Sequence, residues 1–310
     1  MPGAKLKPKP SISIVGAGRL GTALALALAA NGYRVGALVT SRAGGARKAG
    51  ALVNGQFARS NMGPTLTLAS KQLGKLPPTD VVIIATPDDQ IENVAGNLAQ
   101  IHQPEGKTRT VLHTSGALSS AILAPLAEKG WRIGSIHPLV SVSDPVSGAK
   151  ALRRAFWCIE GDKYAIRLAR TMVDDLEGQS FSIRTKQKPL YHAAAVMASG
   201  NLVALFDVAL EMLGHCGLTA KEAHRVLIPL VESTVRNLSA REPAEALTGT
   251  FARGDLATVR RHLEALSTKA LAEPLELYRL LGHRALTLAR KNGAKPGVLK
   301  QITEALDRDA

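Results

Sequence analysis

Short β-branched runs alternate with helix-period stretches over the first 185 residues, and then the alternation stops. The runs at 11–15, 34–39, 81–85, 110–113, 132–136, 156–159 and 181–183 predict strands, with a weaker one at 65–68. Apolar positions three and four apart predict helices at 18–31, 88–99, 119–130 and 164–177. Strands separated by helices build a mostly parallel sheet covered on both faces, an α/β arrangement. Beyond residue 185 the β-branched runs give way to long helical patterns. Thr219 and Glu222 form a capping box, which starts a helix by satisfying free backbone N–H groups. Asp255 can cap a helix whose apolar stripe is Leu256, Val259, Leu263 and Leu266. A further helix at 273–291 is stopped by Asn292 and Gly293, with Pro296 beyond. The expected organisation is a flexible basic tail at 1–10, an α/β domain at 11–185 and an all-α domain at 186–310. No internal repeat is visible.

Composition narrows the class. Apolar residues make up 45% of the 310 and charged residues 21%, the balance of a chain with a real core. The longest apolar run, 193–213, contains Asn201, Asp207 and Glu211, which argue against a membrane span. The opening residues have no apolar segment of the kind a secretory signal needs, so a cytoplasmic protein is expected. Cys158 and Cys216 lie far apart without metal-ligand spacing, so reduced thiols and no metal site are expected. The net charge is +14. Residues 1–185 hold 22 basic against 12 acidic side chains, so most of the excess falls on the first half, which suits an anionic ligand. A nucleic-acid partner is the rival. The basic residues are scattered, aromatics are 4%, and no nucleic-acid-binding motif is present, so no specific nucleic acid is expected.

The anion site is legible at Gly16, Ala17, Gly18, Arg19, Leu20 and Gly21, a GxGxxG turn between a strand and a helix. Gly16 permits the turn, Gly18 admits a pyrophosphate to the backbone, and Gly21 lets helix and strand pack closely. The helix N-terminus then holds the phosphates. A Walker loop is excluded, because no Gly-Lys-Ser/Thr follows. An Asp or Glu about 20 residues on would bind a ribose 2′-hydroxyl. Thr40, Ser41 and Arg42 stand there instead and suit a 2′-phosphate, which points to NADP(H) and away from S-adenosylmethionine.

Ligands of open parallel sheets lie over the carboxyl ends of the strands. Thr86, Pro87, Thr114 and Ser115 sit at two such ends and are candidates for the cofactor trough, although turn chemistry also favours these residue types. His113 and His137 end strands as well. His137 is the better candidate for substrate contact, since His113 can point into the sheet.

The stretches VLHTSGAL, GSIHPL, KPLYHAAAVMASGNLVAL and LTGTFARGDLATVRRHLEAL, taken with the glycine turn, resemble an uncharacterised family. Its members join a Rossmann-like domain to a helical domain of unknown function, number 2520. The similarity runs over about 11–305. It implies kinship with pyrroline-5-carboxylate reductase, ketopantoate reductase and β-hydroxyacid dehydrogenases, whose helical domain closes over the nicotinamide and often dimerises. It names no substrate. Hydroxyacid and ketopantoate relatives open the helical domain with a Lys-x-x-x-Asn pair. Here Lys188 is followed by His192, so mechanism does not transfer directly. Lys188, His192 and Ser199 share one helix face, and Pro189 suits the first helical turn. Arg253, Asp255, Arg260 and His262 form a second cluster, of which Asp255 is first a helix cap.

These residues suggest an NADP(H)-dependent oxidoreductase acting on a small, carboxylate-bearing carbonyl or imine, or on the matching alcohol or amine. Lys188 and His192 are the candidate catalytic residues; His137, Ser199 and Asn201 are candidates for the substrate wall. A homodimer through the helical domain is expected. The alternative is a non-catalytic NADP(H)-binding sensor.

Overall fold

The computed structural model describes residues 8–57, 63–101 and 108–308. Eight strands form one sheet: β1 (Ile12–Val15), β2 (Val35–Thr40), β3 (Leu66–Ala69), β4 (Val81–Ile84), β5 (Thr110–His113), β6 (Arg132–Pro138), β7 (Phe156–Gly161) and β8 (Gln179–Phe181). The strand order is β3-β2-β1-β4-β5-β6-β7-β8. Neighbours are parallel except β6 and β7, which pair antiparallel. The order reverses between β1 and β4, leaving a crevice above their carboxyl ends.

The helices of this unit are α1 (Arg19–Ala30), α2 (Ala43–Phe57), α3 (Asp88–Ala99), α4 (Ala124–Ala127), α5 (Pro145–Leu152), α6 (Lys163–Asp175) and α7 (Lys188–Ala198). The period of two in β4 divides its side chains between two cores. Val81 and Ile83 join Ile12, Ile14, Leu24 and Trp157 on one face. Val82 and Ile84 join Val15, Val39, Ile91 and Val111 on the other. Both faces are covered, so this strand is apolar without alternation. Alternating alanines keep α1 slim and buried over the sheet. Gly21 carries the tightest contact there: a Cβ would lie 2.3 Å from the Gly16 carbonyl oxygen.

Compact units are Met1–Ser199 and Gly200–Ala310. The sequence reading set the boundary at 185/186. The difference is α7, which belongs to the first unit because its Lys188 is bonded into the sheet. Residues 1–7 of the expected tail lie outside the described residues. Lys9 is not loose: it pairs with Asp175 at 2.9 Å and lies over the Tyr33 ring. Two helices, α2 and α5, were not anticipated. The first is rich in glycine and the second begins at a proline, so neither shows a strong period in sequence.

The second unit is all helical: α8 (Gly200–His215), α9 (Ala220–Ala240), α10 (Pro243–Ala246), α11 (Gly249–Arg253), α12 (Leu256–Leu266), α13 (Ala272–Lys291) and α14 (Pro296–Asp307). The Thr219–Glu222 capping box forms as expected. Asp255 caps α12, accepting from the Thr258 amide at 3.0 Å. Val259, Leu286, Leu299, Ile302 and Leu306 make the unit's core. By length and composition alone, 185–215 is long and apolar enough to cross a membrane. Its most apolar window has no buried residue. Asp207 and Glu211 interrupt it on α8.

Gly21→Ala should destabilise the protein by about 1–3 kcal/mol, because the clash is with backbone that cannot rotate away. Denaturant unfolding of the full chain measures this loss.

Candidate functional site

The glycine turn leaves β1 and enters α1. Gly16 adopts φ +96°, and a Cβ there would fall 2.5 Å from the Thr86 amide nitrogen. The amides of Gly16 and Ala17 both donate to the Val39 carbonyl, and the Thr22 hydroxyl donates to the Ala17 carbonyl. These bonds set the loop against β2. Gly18 differs. A Cβ at Gly18 would meet nothing within 4 Å, and the residue is exposed with Arg19. Packing within the protein therefore does not require glycine at this position. No side chain caps α1, and its first turn has no acidic residue. Its N-terminal amides are thus open to an anion, with the positive end of the helix behind them. Leu20 is half-buried against the core. The adjoining exit of β4 supplies Thr86, whose buried hydroxyl has no partner, and the exposed Pro87. An unpartnered hydroxyl beside the turn fits a hydrogen-bonding ligand in the crevice.

The exit of β2 holds Thr40, Ser41 and Arg42. The Thr40 hydroxyl donates to the Arg42 carbonyl at 2.5 Å, so its proton is committed. Ser41 and Arg42 are exposed, followed on α2 by exposed Arg47 and Lys48. The first turn of α2 has no acid. A phosphate here would meet cations and a helix N-terminus.

The exit of β5 is closed rather than open. Thr114 and Ser115 are both 6% exposed. The Ser115 hydroxyl donates to Asp88 at 2.8 Å and accepts from the Ala117 and Leu118 amides. Ser115 therefore shapes the loop and has no free hydroxyl to offer. His113 is buried in the sheet, as its position suggested. Burial, aided by nearby Lys188, lowers its pKa to about 3.

Lys188 is fully buried at the start of α7. Its ammonium donates to the Ser115 carbonyl at 3.2 Å and to the Ser135 hydroxyl at 2.5 Å. It lies 3.7 Å from a Glu160 carboxylate oxygen. Glu160, on β7, also accepts from the Ser120 amide and hydroxyl at 2.6 and 2.9 Å. Burial lowers the Lys188 pKa, and Glu160 opposes that shift. The anion that this lysine needs at a helix's positive end is thus a protein carboxylate.

His137 and His192 do come together. Their rings meet edge to face at 5.4 Å. A Cβ on Gly116 would lie 2.4 Å from His192 Nδ1 and 2.8 Å from His137 Nε2, so only glycine lets both rings close on this loop. His192 Nδ1 is buried without a partner. Burial first, then His192 and Lys188, lowers the His137 pKa to about 4. Beside them opens a cleft of about 360 Å³ within the first unit. Pro138, Leu139, Val140 and Val196 supply its apolar wall, and Ser141 and Ser199 its hydroxyls. Ser199 donates to the Ala195 carbonyl at 2.8 Å. Lys188 does not line this cleft. Asn201 stands on α8 in the second unit, exposed. Arg253, Arg260 and His262 also lie in that unit, with His262 Nδ1 2.9 Å from the Tyr278 hydroxyl. Sequence reasoning missed Tyr191, Glu160, Asp88 and Gly116. Tyr191 carried the best signal, since it adjoins His192; a lone acid in a β-strand such as Glu160 shows its partner only when the strands are paired.

Among the described residues no cluster suits a metal ion. Comparison with known proteins places this geometry. Residues 3–138 match the family model of a Rossmann-like domain, and 155–285 match that of the domain of unknown function DUF2520. No curated protein matches the sequence. Among solved structures, BF3122 of Bacteroides fragilis, described provisionally as an NADP oxidoreductase, superposes with a TM-score of 0.69 at 21% identity, covering 90% of this chain and 99% of its own. Protein TM1727 of Thermotoga maritima gives 0.60 at 23%, covering 96% and 100%. The Plasmodium falciparum pyrroline carboxylate reductase, solved with NADP bound, gives 0.51 at 13%, covering 97% of each. At these identities the likeness establishes the fold. With both modules matched in sequence order, the chain joins a Rossmann-like domain to a DUF2520 domain.

Proposed function

We propose that this protein is an NADP(H)-dependent oxidoreductase that acts on a small carbonyl or imine compound, or on the corresponding alcohol or amine. The observation that carries the reading is the α1 N-terminus: uncapped, without acid, and faced by a glycine whose open side serves no packing within the protein. The likeness to BF3122, described as an NADP oxidoreductase, and to the Plasmodium reductase solved with NADP bound supports it. Gly16, Ala17, Gly18, Arg19, Leu20 and Gly21 would hold the diphosphate, with Thr86 and Pro87 beside it. Ser41 and Arg42 would hold the 2′-phosphate, with Thr40 ordering their turn through the Arg42 carbonyl. The nicotinamide supplies or accepts hydride when bound.

The protein's own part is to place the acceptor and manage one proton. His192 and His137 line the cleft and are the candidate groups for that proton or for polarising the substrate. Lys188 serves them indirectly, by fastening α7 to the β5 loop and β6. A carboxylate on the substrate would need a cation other than Lys188, which is buried and paired with Glu160. A sensor that binds the coenzyme without turnover is the second reading, kept by the departure from the Lys-x-x-x-Asn pair. Steady NADPH consumption on a carbonyl and imine panel separates the two. We also propose a homodimer, in which a second copy covers exposed Val203, Leu230, Leu238 and Leu280 of the helical unit. A monomer in sedimentation at micromolar concentration would refute it.

Arg42→Asp should weaken NADPH binding ten- to a hundredfold, roughly the worth of a charge-assisted hydrogen bond, and leave NADH binding little changed. Calorimetric titration with both coenzymes reads the difference, and equal losses would remove Arg42 from the site. Gly18→Ala should weaken both coenzymes while leaving the melting temperature unchanged, because its Cβ enters open space. With an accepted substrate in hand, His192→Ala should slow single-turnover NADPH oxidation by about 10²–10⁴-fold. An unchanged rate in both His192→Ala and His137→Ala would end the catalytic assignment.

A further inference from the structure

One of the two cleft imidazoles is tethered from behind. The Tyr191 hydroxyl lies 2.7 Å from His137 Nδ1. The tyrosine ring is held edge-on between His137 at 5.5 Å and Phe181 at 5.9 Å. Cys158, the register partner of His137 on β7, lies near enough for its thiol to influence the phenol. Nδ1 is therefore engaged, and Nε2, which faces the Gly116 loop beside His192 at the edge of the cleft, is the ring nitrogen left without a bond from behind.

The direction of these bonds follows from acceptor strength. Burial raises the pKa of both the phenol and the thiol, so both groups keep their protons at neutral pH. Sulfur is a weak acceptor and an imidazole nitrogen a good one. The hydroxyl then donates to Nδ1 and is free to accept from the thiol. The remaining titratable groups around the ring are Lys188 and His192 from α7, His113 from β5 and Glu160 from β7. Lys188 and His192 disfavour a charged imidazole, and Glu160 is occupied by Ser120 and Lys188. With Nδ1 accepting and the ring neutral, the single ring proton sits on Nε2.

We propose, resting on the assignment of this cleft to the substrate, that Tyr191 is a positioning residue that fixes His137 as its Nε2–H tautomer. His137 then presents a neutral hydrogen-bond donor to the carbonyl oxygen or imine nitrogen of the substrate. It does so without first taking up a proton, so its donor stays in place across neutral pH.

Two-bond ¹H–¹⁵N correlation spectra of the full chain, labelled at histidine, test this. The His137 signals are assigned by their loss in His137→Gln. At pH 7 the wild-type ring should show a protonated Nε2 and a bare Nδ1, and hold that pattern down to about pH 5. Tyr191→Phe keeps the ring contacts and removes the hydroxyl, so the signals should move to a mixture of both tautomers. Cys158→Ala leaves the hydroxyl and should keep the Nε2–H pattern. A wild-type ring protonated at Nδ1, a wild-type mixture, or a pattern that Tyr191→Phe leaves intact overturns the proposal; so does loss of the pattern in Cys158→Ala. Should Tyr191→Phe fail to fold, the wild-type spectrum alone decides. None of these spectra needs coenzyme. A failed NADPH titration would strike the functional reading and leave the tautomer assignment standing.

Discussion

A charged ammonium inside a protein must find partners, and the arrangement around Lys188 answers that constraint. Its amino group joins the β5 loop through the Ser115 carbonyl and β6 through the Ser135 hydroxyl, with the β7 carboxylate of Glu160 close by. Breaking such a buried pair by removing one partner costs about 3–5 kcal/mol. That cost keeps the start of α7 seated on the sheet. Everything on the next turn of the helix inherits the placement, including Tyr191 and His192. The cleft exists because its back wall is pinned in this way.

The same network separates two tasks that share the carboxyl end of the sheet. At the β1/β4 crevice the structure is open: bare helix amides, an exposed Gly18, an unpartnered Thr86 hydroxyl. At β5 and β6 it is closed: the Ser115 hydroxyl is bonded to Asp88 and to two backbone amides, and Lys188 is paired. Open polar groups are where a ligand can repay desolvation, and satisfied ones give the framework its rigidity. The two histidines lie at the border between these zones. Burial, with His192 and Lys188 close by, disfavours a charge on His137.

The surface tells a second story. Leu190, Met197 and Val203 are each more than 60% exposed, along helices whose composition alone would suit a membrane. A helix this apolar on its outer face is costly in water. Asp207 and Glu211 within the run would be costly in lipid.

Local chemistry determined much of this protein. The glycine turn, the β-branched strands, the Thr219 capping box and the Asp255 cap depend on neighbours within a few residues, so they could be read from the chain directly. The absent acid after β2 was equally local. Where Lys188 points could not be read that way. Its helix position suggested an anionic ligand, and the anion proved to be Glu160, 28 residues earlier and brought near by the pairing of β7 with β6. Tyr191 and His137 are 54 residues apart, and Gly116 meets both histidines only once β5, β6 and α7 have packed. Backbone propensity acts over one turn or one strand. Pairing of buried charge and closure of rings on a glycine are set by the burial of the whole sheet, so tertiary structure alone decided which polar residues were spent on the framework and which were left to act.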